Sequence, residues 1–348
     1  MLWLALLLPL STPLLLTTLN RSAAMTLTPL LLYSVGLMLL AAAWVGASDG
    51  WLGLFVGWHA LALLWSPTVE AFETVEILAL SALGLAAVRR LPADRRETAR
   101  WLLIGLGIFQ VLYGALQLAG YDVLWWGIAR VRPVDGVPGT LGNRGYYGLY
   151  LAMLAPLAPG LLLPLFAAGV LGSQSFLAVL ALAGGVGWRY RADVRPVAWA
   201  AAAGAALAAL AVWRGPAWPA GLAARLDIWG YALAHMHGWD WMIGHGPGAW
   251  SALVPAAQIA AGAAVGETFF HAHNEWVQAL FEGGAVALVL LGGWLWRHRA
   301  GFAGPYGGAW VALLIGSLGH FGFRMAITGG TALVLIGLGR PQSEGDRP

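Results

Sequence analysis

The chain has 348 residues, 59% of them hydrophobic and 10% charged, with a formal net charge of +3 and no cysteine; its mean hydropathy is +0.72. The apolar share exceeds the roughly 45–50% of soluble domains, which excludes an ordinary soluble globular chain and makes spans of about 20 residues the natural unit of length. Disulfides, thiolate nucleophiles and cysteine-held zinc or iron–sulfur centres are excluded as well.

Apolar runs predict twelve spans, near 2–19, 28–47, 51–65, 74–88, 101–119, 146–159, 161–172, 174–188, 196–213, 283–296, 306–321 and 325–339. The expected fold class is therefore all-α: a polytopic membrane helical bundle of about 12 spans (range 10–12), one membrane domain over 1–348. The opening MLWLALLLPLSTPLLL has no basic n-region and no clear small-residue cleavage site, so it reads as a first span and not as a signal peptide. Between 146 and 172, Pro156, Pro159 and Pro164 either close a tight turn between two spans or kink one longer helix.

All 19 basic residues are arginine. Compositional bias explains this alone, whereas a phosphate-binding role would use the paired hydrogen bonds of a planar guanidinium, so position has to decide. Basic loops stay in the cytoplasm. Placing RRLPADRRETAR, 89–100, inside puts three further basic segments there: WRYRADVR at 188–195, WRHRA at 296–300 and the tail 340–348. Both termini are then cytoplasmic. Twelve arginines lie inside and seven outside, namely Arg21, Arg130, Arg132, Arg144, Arg214, Arg225 and Arg324.

Two long segments remain outside. The first, 120–145, leads into GTLGNRGYYGLYLAM, where Asn143 and Arg144 head a span. Tyr146 and Tyr147 read as an interfacial belt, while a guanidinium at the lip of a span must face water, a partner or an anion. The second, 214–272, carries a pattern that suits a surface helix over Leu222–His237, lying on or partly within the membrane surface and ending at Gly238. GHGPGAW follows, and Gly244, Gly246 and Gly248 there predict tight turns and close backbone approach.

The stretch HAHNEWVQALFEGG, 271–284, is polar at the mouth of a hydrophobic segment. On a helix starting near His271, Asn274, Gln278 and Glu282 are spaced four apart and form one stripe, with His271 three residues before it. Such a stripe is costly in a bilayer unless it faces other helices or a water-filled cavity. A metal site is the alternative, since His235, His237, His245, His271 and His273 share the loop. On a helix, however, the side chains of a His-x-His pair point about 200° apart, and no acidic pair with nucleotide–metal spacing accompanies them.

These residues resemble a family. HAHNEWVQALFEGG is similar to the signature of the O-antigen ligase and polymerase superfamily, in which an extracytoplasmic His-Asn pair precedes a Leu-Gln or similar pair and a Glu-x-Gly. RLDIWGYALAHMHGWDWMIGHGPGAW and GTLGNRGYYGLYLAM resemble two further family segments, so the match runs over about 139–296, with Val277 where Leu is usual. The resemblance implies a multi-span, metal-independent, inverting glycosyltransferase without cofactors, in the bacterial inner membrane. It would transfer a glycan from undecaprenyl pyrophosphate to an acceptor hydroxyl on the periplasmic face. The acceptor would be lipid A core for a ligase or a growing glycan for a polymerase; transfer to protein is a third activity, and a flippase for lipid-linked sugar is a competing class. His273 is the expected general base or acceptor-orienting group, with Glu282 beside it as catalytic. Arg144 and Arg225 are the expected phosphate contacts, Arg130, Arg132 and Arg324 further candidates. Asn143, Asn274, Gln278 and His271 would hold His273 or bind substrate.

Overall fold

The computed structural model describes residues 50–68, 84–85, 88–122, 136–193, 217–262, 269–320, 322–323 and 326–339, with single positions 71, 78, 82 and 204. The spans expected at 2–19 and 28–47, most of those at 74–88 and 196–213, the tail, and Arg130, Arg132 and Arg324 lie outside the described residues. Every regular element among the described residues is helical. In chain order these are α1 Gly50–Ala62, α2 Ala93–Leu118, α3 Arg144–Leu154, α4 Leu163–Gly172, α5 Phe176–Arg189, α6 Ala217–Ala234, α7 Asp240–Ile243, α8 Ala249–Ala260, α9 Glu275–Arg297, α10 Gly307–Gly316 and α11 Ala326–Leu338.

Two helices, 94–118 and 275–297, are long and apolar enough to cross a membrane. The others are shorter: the ten residues of α4 rise only about 15 Å, half of a hydrocarbon core of about 30 Å. α2 begins eight residues before its expected span. Alanine, arginine and glutamate are strong helix formers, Pro92 stands just before the first turn and Asp94 lies in it, complementing the helix dipole.

The chain divides into two compact units, one made of 1–45, 83–215 and 299–348, the other of 46–82 and 216–298. At the centre of the first is α3, whose residues Gly145–Leu154 are all buried against α4, α5 and α10. Tyr146 and Tyr147, expected at a membrane boundary, belong to this core, 8% and 1% exposed. The Tyr147 ring fills space left by Gly114, Gly139 and Gly169, a spatial relation that no local pattern announces. α5 and α10 meet backbone to backbone where a Cβ on Gly185 would lie 2.7 Å from the Gly308 carbonyl, the close approach that small residues permit between helices.

The prolines of 146–172 close a turn. α3 ends at Leu154, short 3-10 turns cover 155–157 and 160–162, and α4 starts with Pro164 in its first turn and packs beside α3. Arg100 donates to the Leu157 carbonyl at 3.1 and 2.8 Å, and Arg189 donates to that of Pro156. Two arginines from separate basic segments thus cap one turn at one end of the unit. At the other end stand Asn143, heading α3, and the Ser175–His320 hydrogen bond of 3.0 Å.

In the second unit α1 packs along α9. Its remaining core joins α6, α8 and the start of α9 around Trp250 and Phe281. α6 covers 217–234 where 222–237 was expected; it stops early because the Asp240 carboxylate accepts the His237 amide at 3.0 Å and turns the chain. α8, which holds Pro255 inside it, lies in the long segment 214–272, where the only helix expected was the one over Leu222–His237.

Candidate active site

The segment 269–274 crosses the second unit as a loop fixed at both of its ends. Gln258 on α8 accepts the Phe269 amide at 2.9 Å, and the Trp250 indole donates to the Phe269 carbonyl at 3.0 Å. Three residues on, Trp229 of α6 donates to the Ala272 carbonyl at 2.5 Å, and the Ala272 amide donates to Gln278 Oε1 at 3.2 Å. Between these pins and the helix sits His273 with φ 50, a left-handed conformation uncommon outside glycine and concentrated at functional sites.

Asn274 ends the loop as the N-cap of α9. Its Oδ1 accepts the amides of Trp276 and Val277 at 2.9 and 3.1 Å, satisfying two of the donors a helix start leaves over. The helix therefore begins at Glu275, not near His271. Gln278 and Glu282 do share a face as their spacing predicts: Gln278 Nε2 donates to Glu282 Oε1 at 3.0 Å, and both are buried. Asn274, Gln278 and Glu282 thus hold the loop that presents His273. Glu282, expected as catalytic, is fully buried and acts in this structure as the rear support of Gln278.

α9 breaks two residues later. Gly284 has φ 68 and ψ −171, which leaves the carbonyls before it without their helical partners. Each finds another donor: Phe281 the His245 amide at 2.9 Å and Glu282 the Gly246 amide at 2.8 Å, Gly283 the Trp58 indole at 2.8 Å. The GHGPG turns are thus the cap of this break. Gly244, Gly246 and Gly248 all have positive φ, and a Cβ on Gly244 would lie 2.4 Å from the Glu282 carbonyl.

His273 stands edge-on to Phe269, ring centroids 6.1 Å apart. Its pKa is lowered to about 4, first by burial, then by the positive charge of Arg225 and by His271. Arg225 precedes Trp229 by one helical turn and so lies on the side of α6 that meets the loop. His271 is exposed and Arg225 partly so. The imidazole is neutral at pH 7 and can accept a proton beside a guanidinium able to bind an anion.

The five histidines between 235 and 273 fall into two groups. His245 interacts with Asp240, His237 and His235, its pKa lowered by burial against the pull of the Asp240 carboxylate; His273 interacts with Arg225 and His271. Among the described residues no group of three or more histidine or acidic side chains is placed to hold a metal ion.

The second unit therefore brings together Arg225, His271, His273, Asn274, Gln278 and Glu282. Asn143 and Arg144 belong to the first unit, where Asn143 caps α3 through the amides of Gly145 and Tyr146, at 2.8 and 3.3 Å, and Arg144 is partly exposed. Sequence reasoning missed the pins Trp229, Trp250 and Gln258. The last has a signal, as the one polar side chain in ALVPAAQIAA. No protein-family model matches the chain, and no curated protein matches it significantly.

Proposed function

We propose that this chain is a metal-independent, inverting glycosyltransferase of the multi-span membrane type, moving a glycan from undecaprenyl pyrophosphate to an acceptor hydroxyl on the periplasmic face of the bacterial inner membrane. The observation that carries the reading is the pairing of Arg225 with a neutral His273 on a loop pinned by Trp229 and the buried Gln278. The two long apolar helices support a membrane location. The capping of the 155–162 turn by Arg100 and Arg189 supports the orientation of the twelve-span bundle, with that turn and both termini inside and Asn143 outside.

His273 takes the proton of the acceptor hydroxyl as its oxygen attacks the anomeric carbon, and the bond to the diphosphate breaks on the opposite face. Arg225 neutralises charge developing on the leaving diphosphate; Arg144, in the first unit, is proposed separately as a phosphate contact. Since the charge of Arg225 lowers the His273 pKa, a diphosphate docked on that guanidinium raises it again, and the base strengthens once the donor is bound. Glycan ligation to lipid A core is the form of transfer we favour.

The test incubates purified protein in EDTA with undecaprenyl-pyrophosphoryl glycan and lipid A core, and identifies the product by mass spectrometry. The expected result is a new glycosidic bond of inverted configuration, lost in His273→Ala. Movement of lipid-linked glycan between leaflets without any new glycosidic bond overturns the reading, and transfer that occurs only when EDTA is left out overturns its metal-free mechanism.

A further inference from the structure

The C-terminal end of α2 carries polar side chains that the transfer site does not use. The helix ends at Leu118, and Gly120 just beyond it has a left-handed φ of 88. The bonds Gly120 N to Gln117 O, 3.0 Å, and Tyr121 N to Leu116 O, 2.8 Å, fold the chain back over the last turn. This reversal sets Asp122 against side chains of its own helix. Asp122 Oδ1 accepts from the Tyr113 hydroxyl, and Oδ2 accepts from Gln117 Nε2 at 3.0 Å.

Both partners are themselves held. Gln117, 1% exposed, accepts the Gly139 amide at 2.9 Å and donates to the Gly139 carbonyl at 3.2 Å. Tyr113 is buried and stacks on Phe109 with centroids 6.2 Å apart and ring planes 12° from parallel. The Asp122 carboxylate is thus aimed by two rigid donors while partly exposed. Directly beside it in the chain, Tyr121 is 68% exposed.

A carboxylate held in place and an open aromatic ring on the adjoining residue are the groups that recognise a pyranose. Vicinal hydroxyls donate to the carboxylate oxygens, each of which can accept more than one hydrogen bond. The C–H face of the sugar lies on the negative π-face of the ring. We propose that Tyr121 and Asp122 form a saccharide subsite for uncharged hexose or N-acetylhexosamine units, and that it disfavours uronic and sialic acids, whose carboxylates Asp122 repels. A tyrosine alone would suit a membrane boundary, but the buried Gln117 and Tyr113 have no purpose in aiming a carboxylate at anionic headgroups. The inference rests on the proposed function only in taking the ligand to be a glycan.

Binding can be read without transfer. Saturation-transfer NMR on the full chain in nanodiscs would use gluco-, galacto-, manno- and N-acetylgluco-tetrasaccharides, with tetragalacturonate as the charged comparison. The wild type should bind at least one neutral sugar and bind tetragalacturonate more weakly. Tyr121→Leu, an exposed change that keeps apolar area but removes the ring, and Asp122→Asn should each weaken binding about tenfold, the scale of one aromatic contact for the first and of one hydrogen bond to a charged group for the second. Failure of every neutral sugar to bind, or wild-type affinity in both variants, overturns the subsite. Binding with this variant pattern in a protein that forms no glycosidic bond keeps the subsite and removes the transferase; transfer with no effect of either variant does the reverse.

Discussion

Two helices, one in each unit, start on an asparagine cap and differ in which side of the cap carries the proposed site residue. Before α3, the loop is fixed by glutamines of α2: Gln110 accepts the Thr140 amide at 3.1 Å and donates to its hydroxyl at 2.5 Å, while Gln117 takes both backbone groups of Gly139. Asn143 then caps the helix and Arg144 is its first residue. Before α9, the pins come from Gln258, Trp250, Trp229 and Gln278, Asn274 caps, and His273 precedes the cap in a left-handed conformation. A residue after the cap takes its direction from the helix, which suffices for a long, flexible guanidinium. A residue before it is aimed only by the loop. The proposed proton acceptor needs that aim, and of these two starts only that of α9 places a non-glycine residue, His273, in a left-handed conformation.

The largest expected effect that sharpens this comparison is His273→Ala, which should lower the transfer rate by about 10²–10⁴, the range for a general base. Arg144→Ala should reduce kcat/KM by about tenfold, the order of one charge-assisted contact. Equal losses in the two variants would break the distinction between an aimed base and a binding charge. Next comes the break in α9, which has no counterpart in α3. Gly284→Ala would put a Cβ 2.2 Å from the Met242 carbonyl at φ 68, and should cost about 3 kcal/mol or more in thermal unfolding, as strain and overlap add.

The loop supports follow. Gln110→Ala removes both buried hydrogen bonds that Gln110 makes to Thr140 and should lower stability by about 1–3 kcal/mol. Gln278→Ala should destabilise by a similar amount and also lower kcat about tenfold through loss of His273 alignment; a pure stability effect there would mean the loop needs no aiming. Smallest are the caps themselves: Asn143→Ala and Asn274→Ala should each cost about 1 kcal/mol, with the latter alone changing the pH profile.

Much of this organisation was legible in the sequence. Apolar runs placed α1, α3, α4, α5 and α10 within a few residues, and the four-residue spacing of Gln278 and Glu282 predicted the face they share. What stayed hidden is long-range. The partner of the Gly283 carbonyl is Trp58, 225 positions away, and that of the Ala272 carbonyl is Trp229, 43 away; both read locally as ordinary apolar positions. Gly283 and Gly284 advertise backbone freedom, but the Met242 backbone that occupies the space of a Cβ comes from another segment. Asn274 read as part of a polar stripe because a helix start near His271 was assumed. Capping geometry, which a left-handed His273 creates, moved that start and changed the residue's role.

Acid sensitivity follows with a defined sign. His273 titrates below its ordinary value of 6.5, at about 4, so the unfolded chain binds this proton first and the folded state loses stability as pH falls from 6.5 to about 4. His273→Gln should remove that part of the loss in pH-dependent unfolding.

The claim that a neutral His273 beside Arg225 accepts the acceptor proton is tested most directly by the pH dependence of transfer in wild type and Arg225→Gln. In the wild type, kcat/KM, which reports the free enzyme, should hold from pH 7 down to about 5 and fall near 4, while kcat, which reports the donor complex, should fall at a higher pH. Arg225→Gln should move the kcat/KM limb upward, yet keep it below 6.5 because burial is the larger cause. A kcat/KM limb at or above 6.5, unmoved by Arg225→Gln, would contradict the account.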